Sequence, residues 1–509
     1  MPLHPNSLYY GDNLDVLRNR EDFPNDSIDL IYLDPPFNSK RNYNVLYKTP
    51  AGHESDSQVT AFEDSWHWGE QAEGEYLELV RQPNTDLSEL IQALRKFLKE
   101  TDMMAYLVMM ANRLLELHRV LKPTGSLYLH CDPTASHYLK IILDGVFGKK
   151  SFKNEIAWCY RKWAVEQSQF VKNHDILLFY SKTSSNIFNT LRIPLSAGTM
   201  KRWKGKKQKA VYDENGKRLA TNESEESEGT AMPDWWEISI INPASHERLG
   251  YPTQKPLALL EQIIQASSNE RDIVLDPFCG CGTAVHAAQK LNRKWIGIDI
   301  THLAISLIEK RMKDAFPGIS FQVHGVPKDF EGAVDLSRRD KYQFQWWACS
   351  LVNAQPYQGK KKGSDTGIDG LIFPLEGPGE APKKIIVSVK GGEHVGAAMI
   401  RDLKGVVERE KAIIGLFLTL AEPTRDMLKE AASAGFHEVG DRKFSKIQIL
   451  TIKGLLEGRE RPGYFDANVP RGKGSGGFKK AKKEEPSRKK MPLLFPATEG
   501  ESIAAEEEP

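Results

Sequence analysis

The chain has 509 residues, 40% of them hydrophobic, with a formal net charge of +1 and five cysteines. This length gives room for two or three domains with sizeable cores. The odd number of cysteines and the lack of a Cys-x-x-Cys pair argue against a disulfide framework and a zinc site. No apolar run is long enough to span a bilayer, and the polar start does not resemble a secretion signal, so we expect a cytoplasmic protein without a membrane partner.

The first informative feature along the chain is an apolar strand that ends in an acid. Residues 28–33 have the composition of a parallel strand buried on both faces, and Asp34, Pro35, Pro36 and Phe37 follow it. The prolines must end the strand because they cannot extend its hydrogen-bond ladder. Ligands of an open α/β sheet bind at the carboxyl ends of strands, which predicts that Asp34 and Phe37 border a crevice.

The residue types at this strand end suit a flat base. Asp34 could accept a hydrogen bond from an exocyclic amine, a carbonyl held rigid by the two prolines could accept another, and Phe37 could stack on the ring. Two acceptors would favour attack of the amine on an electrophilic methyl group. The alternative is an ordinary Asp-Pro turn at a strand end.

The next part of the chain alternates between helix and strand patterns. Residues 38–100 form a polar and aromatic insertion. Apolar periodicity then predicts helices at 103–121 and 132–147 and strands at 126–130, 155–160 and 175–180. Tyr160 and Tyr180 end two of these strands and could line a base pocket, although an aromatic residue at such a position more often belongs to the core.

Residues 184–250 lose this periodicity and carry a basic run. Cations interleave with an aromatic side chain at Lys201, Arg202, Trp203, Lys204, Lys206 and Lys207. Such a run can hold phosphates while neighbouring side chains contact base edges, and a small net charge does not exclude this because DNA needs only a local positive face. The alternative is a solvated surface loop.

A second motif follows far downstream. A strand ends in Asp276, and Phe278, Gly280, Gly282 and Thr283 lead into a helix. The glycines let the backbone approach a ligand closely. Asp299 ends the next strand at roughly the spacing expected for an acid that binds ribose hydroxyl groups. A glycine-rich turn alone is compatible with many nucleotides, so its meaning depends on the motif at Asp34.

Together, the two motifs resemble the amino-methyltransferases that modify exocyclic nitrogens of DNA bases with S-adenosylmethionine. The catalytic motif precedes the cofactor turn, which resembles the β class of that family, over about residues 5 to 325. The resemblance implies an α/β fold: a circularly permuted Rossmann-like methyltransferase sheet with an inserted target-recognition segment. The acid at the head of the motif favours adenine N6 over cytosine N4 as the target.

The resemblance also implies roles for individual residues. The base-handling set is Asp34, Pro35, Pro36 and Phe37, and no metal is needed for methyl transfer. The implied cofactor contacts are Asp12, Thr253, Gln254, Lys255, Asp276, Phe278, Gly280, Gly282, Thr283 and Asp299. Of these, Asp12 is equally compatible with a helix N-cap.

A second pattern lies past residue 330. Asp369 precedes a short strand, and Lys390 ends the strand at 385–390. This arrangement resembles the PD-(D/E)XK nuclease fold, particularly Mrr-like restriction domains, in which two acids bind a divalent metal and the lysine helps to activate water. Ser388 stands where the second acid is expected. Three interpretations are open: an active nuclease using Mg2+, a degenerate nuclease fold kept for DNA binding, and an unrelated α/β module.

These patterns predict a site-specific methyltransferase for adenine N6 in duplex DNA, within a restriction-modification or marking system. The alternatives are a fused enzyme that also cleaves DNA, a cytosine-N4 methyltransferase, and a nucleic-acid-binding protein without activity. Neither RNA as substrate nor a homodimer is excluded by the residues. The expected segments are a catalytic half at 1–183, a recognition segment at 184–250, a cofactor half at 251–330, a nuclease-like domain at 331–458 and a disordered tail at 459–509.

Overall fold

The computed structural model describes residues 3–36, 41–48, 54–64, 67–162, 168, 170–207, 211–219, 225–242, 244–251, 253–357, 367–377 and 381–466. In the segments 41–48 and 54–64 only the backbone is described, and the Trp203 side chain is likewise outside the description. Phe37 and the predicted tail beyond residue 466 therefore lie outside the described residues.

The strands of the described residues are, in chain order, β1 (Ser7–Tyr10), β2 (Ile28–Leu33), β3 (Arg41–Lys48), β4 (Glu54–Asp64), β5 (Leu121–Cys131), β6 (Phe152–Cys159), β7 (His174–Ser181), β8 (Arg192–Ile193), β9 (Val211–Tyr212), β10 (Arg218–Leu219), β11 (Thr230–Ala231), β12 (Trp235–Glu237), β13 (Ile273–Asp276), β14 (Lys294–Asp299), β15 (Gln322–His324), β16 (Gln355–Pro356), β17 (Gly370–Ile372), β18 (Ile385–Lys390), β19 (Ile414–Thr419), β20 (Phe436–Val439), β21 (Arg442–Ser445) and β22 (Ile447–Thr451).

The helices of the same residues are α1 (Asn13–Arg18), α2 (Glu70–Arg81), α3 (Thr85–Leu98), α4 (Asp102–Val120), α5 (Ser136–Phe147), α6 (Ala197–Trp203), α7 (Leu257–Ser267), α8 (Thr283–Lys290), α9 (His302–Ala315), α10 (Phe330–Arg339), α11 (Lys341–Leu351), α12 (Ala397–Arg409), α13 (Arg425–Ser433) and α14 (Ile452–Leu456).

A nine-stranded sheet organises the first two thirds of the chain. Its strand order is β12-β6-β7-β5-β2-β13-β14-β1-β15, and only β7 runs antiparallel to its neighbours. The central pair consists of β2 and β13, which lie far apart in sequence but pair in parallel, with Leu30 opposite Val274 and Ile31 opposite Leu275. This order confirms the expected permuted α/β fold.

Helices cover both faces of this sheet, which explains why its strands are almost continuously apolar. One face packs against α4 and α5 and the helical insertion that precedes them. The other face packs against α7, α8 and α9 around the fully buried Trp295. The predicted helix at 103–121 is confirmed as α4. The next helix begins only at Ser136, because the Asp132 carboxylate accepts the backbone N–H groups of Thr134 and Ala135 in a preceding turn.

The carboxyl-terminal part forms a second, five-stranded sheet with the order β16-β17-β18-β19-β22. Its two faces are covered by separate apolar clusters, one containing Trp347 and Phe344, the other containing Ile400 and Phe417. Residues 459–466, which the composition assigned to the tail, instead continue along this domain. The Glu460 carboxylate accepts the N–H of Thr451, and Tyr464 packs against the first cluster. None of the helices described here has the length and apolar character that crossing a membrane requires.

Candidate active site

The two sequence motifs meet at one edge of the large sheet. Because β2, β13, β14 and β5 are parallel, their carboxyl ends share an edge. Asp34 follows β2, the glycine turn follows β13, Asp299 ends β14, and His130 lies at the end of β5. The pairing of β2 with β13 makes the first two of these features direct neighbours.

Asp34 lies in a nearly enclosed ion pair. Its side chain is 15% exposed, and Lys255 donates from Nζ to Oδ2. Pro35 is buried beside it. The other carboxylate oxygen, Oδ1, lies 3.9 Å from Nδ1 of His130. Lys255, which the resemblance assigned to the cofactor, therefore contacts the carboxylate expected to handle the base.

His130 belongs to a buried polar network that the sequence did not reveal. Its Nδ1 lies 3.0 Å from the Tyr32 hydroxyl group and its Nε2 lies 3.3 Å from Oδ2 of Asp175. The Tyr160 hydroxyl donates to Oδ1 of Asp175 at 2.9 Å. The one available signal was a histidine at the end of an apolar strand on the same sheet edge as Asp34.

The two candidate pocket tyrosines lie in different places. Tyr160 joins the network at the site, whereas Tyr180 donates its hydroxyl to Asp144 and packs in the core on the helix α5 side. Burial acts to raise the pKa of Asp175, but the hydrogen bonds from His130 and Tyr160, together with the charge of Lys255, hold the pKa below its usual range. Asp175 is therefore a carboxylate at neutral pH.

The glycine turn needs its glycines and is braced by Asp299. Gly280 and Gly282 have φ values of +51° and +73°, in the left-handed region that favours glycine. Oδ2 of Asp299 accepts the N–H of Gly280 at 2.8 Å, and Oδ1 accepts both the N–H and the hydroxyl of Thr301 at 2.8 Å. Three of roughly four acceptor positions on this carboxylate are thus occupied.

The glycine turn also has several carboxyl groups close together in a buried place. Removal from water raises the pKa of Asp299 to about 6. Burial raises the pKa of Asp276 well above its usual range, and the charges of Asp34 and Asp299 add to this effect, although the N–H of Phe278 opposes it. Such a site disfavours additional negative charge and favours a ligand with positive charge or hydrogen-bond donors.

Other predicted cofactor residues have structural partners. Asp12 caps helix α1 through the N–H of Leu14 at 2.7 Å and pairs with Arg113 at 2.8 Å, as the N-cap alternative proposed. Its neighbour Asn13 donates to the carbonyl of Pro277 at 2.7 Å, which ties this helix to the glycine turn. Asp12 is therefore the sequence neighbour of a residue that contacts the glycine turn directly.

Two further side chains predicted to contact the cofactor also form hydrogen bonds within the protein. Thr283 accepts a hydrogen bond from Arg311 through its hydroxyl oxygen at 3.1 Å. Gln254 donates to the carbonyl of Glu247 at 2.7 Å and accepts the N–H of Leu249 at 2.8 Å. Thr253 lies beside Gln254 in the same segment. These side chains shape the walls of the site.

The segment that carries the basic run begins at the edge of the sheet opposite to Asp34. The N–H of Ile187 donates to the carbonyl of Thr124, near the start of β5, and Asn189 bonds to the end of helix α7. Lys201, Arg202 and Lys204 are exposed in or just after α6. The backbone of Lys206 forms an isolated antiparallel β-bridge with Glu226, and the Lys207 side chain pairs with Glu225 at 3.0 Å. The structure thus does not bring the start of this segment next to Asp34.

The nuclease-like residues come together in the second sheet. Oδ2 of Asp369 accepts the N–H of Val389 at 2.7 Å, which places this acid beside the strand that ends in Lys390. Ser388, at the position of the missing acid, is buried. Within the described ranges, no group of three or more His, Cys, Asp or Glu side chains could hold a metal ion. Ser388, a neutral side chain, stands where the resemblance expects the second metal-binding acid.

Comparison with known proteins bears on both sheets. A family model described as DNA methylase matches residues 28–310, and one described as restriction endonuclease matches residues 336–454. The second match confirms the Mrr-like resemblance and excludes an unrelated module there. The type II methyltransferase M.HpaI of Haemophilus parainfluenzae is 31% identical over 244 residues, which are 47% of this chain and 71% of that protein.

Two further similarities differ in the base that their names specify. The DNA adenine methyltransferase YhdJ of Escherichia coli is 26% identical over 337 residues, covering 66% of this chain and 91% of that protein. Among solved structures, the cytosine-N4-specific PvuII DNA methyltransferase has 14% identity and a TM-score of 0.38, with 63% of this chain and 96% of that chain covered. Because the DNA methylase model matches more than half of its length, the chain belongs to the DNA methylase family of N6/N4 methyltransferases.

Proposed function

We propose that this protein transfers a methyl group from S-adenosylmethionine, the methyl donor of its family, to N6 of adenine in duplex DNA. One observation carries the proposal. A single segment touches both motifs: the Tyr251 ring lies against Gly280, where an added Cβ would come within 3.2 Å of it, and Lys255 pairs with Asp34. The carboxylate and the glycine turn therefore border one crevice.

In this proposal, Asp34 and the carbonyl of Pro35 accept the two hydrogens of the amine. Lys255 engages Oδ2 of Asp34, which leaves Oδ1 directed toward the His130 side of the crevice. Acceptors that are fixed before the substrate arrives hold the nitrogen lone pair in line with the methyl carbon and cost no reorganisation during the reaction. Bound S-adenosylmethionine would supply that methyl group on a sulfonium sulfur, which leaves as a neutral thioether.

The turn suits this cofactor. Asp276, Phe278, Gly280, Gly282 and Asp299 are the proposed contacts, since the glycines admit close approach and Asp299 keeps about one acceptor position for a ribose hydroxyl group. Ile300 follows directly and is 56% exposed, an apolar surface suited to a flat ring. Asp12, Thr253, Gln254 and Thr283 would act by shaping this site, and Lys255 by holding Asp34.

Adenine is the proposed target because an acid heads the motif at Asp34. The similarity to a protein named as an adenine methyltransferase supports this choice. The test is to incubate the protein with duplex DNA and methyl-tritiated S-adenosylmethionine, digest the DNA and separate the nucleosides. We expect label in N6-methyl-2′-deoxyadenosine. Label in N4-methyl-2′-deoxycytidine would assign the cytosine alternative, and label in neither would overturn the proposal.

The same assay tests the role of Asp34. We expect Asp34→Ala to abolish methyl transfer, because the amine loses its charged acceptor, while calorimetric binding of S-adenosylmethionine persists. Asp29→Ala is unsuitable as a comparison because Asp29 is a buried partner of Lys122, so exposed Asp15→Ala on helix α1 serves as control. Retained transfer in Asp34→Ala would remove this residue from the proposed mechanism.

For the rest of the chain we propose the division predicted above, with the second domain extended to residue 466. Residues 184–250 are the proposed recognition segment, and the nuclease-like domain is proposed to bind DNA. Ser388 favours binding over cleavage in that domain, because it replaces one of the two metal-binding carboxylates that the resemblance expects. We also propose a cytoplasmic location for the protein.

A further inference from the structure

A buried histidine beside Asp34 has no part in the mechanism so far. His130 is fully buried and has two assigned neighbours, the Tyr32 hydroxyl at 3.0 Å from Nδ1 and Asp175 at 3.3 Å from Nε2. Its Nδ1 also lies 3.9 Å from Oδ1 of Asp34. Buried polar side chains restrict a protein to one arrangement and are costly when unsatisfied, so this placement calls for a chemical reason.

The neighbours fix the tautomer of the imidazole ring. Burial, together with the charges of Asp34 and other nearby acids, holds the pKa of Tyr32 far above its usual value, so its phenol keeps its proton. Asp175 is ionised and can only accept. Nε2 therefore carries the hydrogen and donates to Asp175, and Nδ1 accepts from Tyr32. The basic nitrogen of His130 is the one that faces Asp34.

The proposed reaction produces a proton that needs a destination. The amine lone pair forms the new N–C bond, and the electrons of the broken C–S bond remain on sulfur. The exocyclic nitrogen is then cationic and must lose one proton to become a neutral methylamine. Asp34 is the carboxylate in contact with it, and its ion pair with Lys255 requires that Asp34 be charged again before the next turnover.

We propose that His130 receives this proton through Asp34, an inference that rests on the proposed function. The proton passes from nitrogen to Asp34 and on to Nδ1, after which Asp34 regains its charge and the imidazolium lies between two carboxylates. The Tyr32 hydroxyl turns to accept from Nδ1–H. Since 3.9 Å exceeds a hydrogen bond, the Asp34 carboxylate must turn toward the ring or one water must bridge the gap.

His130 acts through Asp34, so it is a positioning residue. Its pH dependence is set by the groups that face it from every neighbouring element: Asp34 and Tyr32 from β2, Asp175 from β7, Tyr160 after β6, Lys255 before α7, and Cys131, whose thiol stays neutral because burial raises its pKa.

The test is single-turnover methyl transfer to duplex DNA between pH 5 and pH 8, which separates chemistry from product release. We expect the wild-type rate to fall toward acid pH, where solvent protons compete with the proton that the amine releases. In His130→Asn, whose amide can bond Tyr32 but cannot titrate, we expect the rate at pH 8 to fall by about 10- to 100-fold. The acid limb should disappear, and the affinity for S-adenosylmethionine should stay unchanged.

Two controls separate this role from a structural one. His137→Asn removes an exposed histidine from helix α5 and should leave the profile unchanged. Asp175→Asn removes the carboxylate that contacts Nε2 of His130, so the acid limb should remain but change its position on the pH axis. This second variant also decides the matter if His130→Asn fails to bind the cofactor.

The outcomes distinguish the inference from the proposed function. An acid limb that survives in His130→Asn, or one that does not move in Asp175→Asn, would overturn the role of His130 while leaving the methyltransferase intact. A wild-type protein that transfers no methyl group to DNA would overturn both.

Discussion

At the scale of single residues, Asp299 has two tasks that compete for the same oxygen atoms. Its carboxylate braces the glycine turn through Gly280 and Thr301, and it is also the proposed partner of a cofactor hydroxyl. Its folded pKa of about 6 lies above that of an unfolded aspartate, so its contribution to the free energy of unfolding is lost as pH rises through about 6. The apo turn is therefore held at some cost at neutral pH, and donors from a ligand would relieve it.

The affinity for S-adenosylmethionine should consequently depend on pH. Below about pH 6 the carboxyl group gains a proton and loses acceptor capacity, so we expect binding at pH 5 to be about tenfold weaker than at pH 7.5. Calorimetry of the full chain measures this directly. Asp299→Asn should bind more weakly and lose this part of the pH dependence, whereas exposed Asp314→Asn should behave as wild type. The same pH dependence in Asp299→Asn would show that another group is responsible.

Some residues of this candidate site could be predicted from the sequence. Asp34, Gly280 and Asp299 were predictable because each follows an apolar strand, and parallel strands place their carboxyl ends on one edge. His130 and the pairing of Lys255 with Asp34 were not, because both join segments more than 90 positions apart in the chain. Local patterns carry no information about which distant side chains share an edge.

At the scale of elements, the turn between β13 and α8 packs closely against the segment that precedes α7. A Cβ on Gly280 would lie 3.2 Å from the Tyr251 ring, and one on Gly282 would lie 2.8 Å from Ile308 of α9. The turn is thus enclosed on both sides, and its left-handed backbone leaves glycine as the residue that fits. The motif in the sequence is a consequence of this packing as much as of ligand binding.

We expect Gly280→Ala to weaken cofactor binding several-fold and to lower the free energy of unfolding by about 1 to 2 kcal/mol, the usual cost of a left-handed alanine. The matched control is Gly148→Ala, which also has a positive φ but has open space around its Cβ. It should share the loss of stability and bind the cofactor normally. Calorimetry measures the cofactor affinity, and thermal unfolding measures the stability. Equal cofactor affinities in the two variants would show that the Tyr251 contact is unimportant for binding.

At the scale of the whole molecule, the nuclease-like part touches the cofactor side of the methyltransferase. Trp346 of α11 packs in a small apolar cluster with Tyr251 and Leu303, and Gln343 accepts the N–H of His302 at 3.2 Å. Tyr251 is the same side chain that lies over Gly280. A continuous set of contacts therefore leads from the second sheet to the glycine turn.

This contact predicts that the second sheet supports cofactor binding. In Trp346→Ala, loss of packing behind Tyr251 should raise KM for S-adenosylmethionine several-fold and leave kcat nearly unchanged, since Asp34 is untouched. Trp346→Phe should recover most of the affinity. Tyr342→Ala, at an exposed position of the same helix, is the matched control and should have no effect. Equal losses of kcat and affinity in Trp346→Ala would instead indicate general misfolding.

In the second sheet, a serine stands where the resemblance expects the second metal-binding acid of a nuclease. Ser388 and Lys390 are two residues apart on β18 and so face the same side, and the Val389 contact holds Asp369 next to them. Ser388→Glu would add the second carboxylate that a divalent cation needs. We expect Mg2+-dependent nicking of a supercoiled plasmid in Ser388→Glu, none in wild type or in Ser388→Ala, and loss of the gained activity when Lys390→Ala is added. Cleavage by the wild-type protein that Lys390→Ala abolishes would establish the fused restriction-modification alternative, because it would mean that a carboxylate from elsewhere completes the metal site.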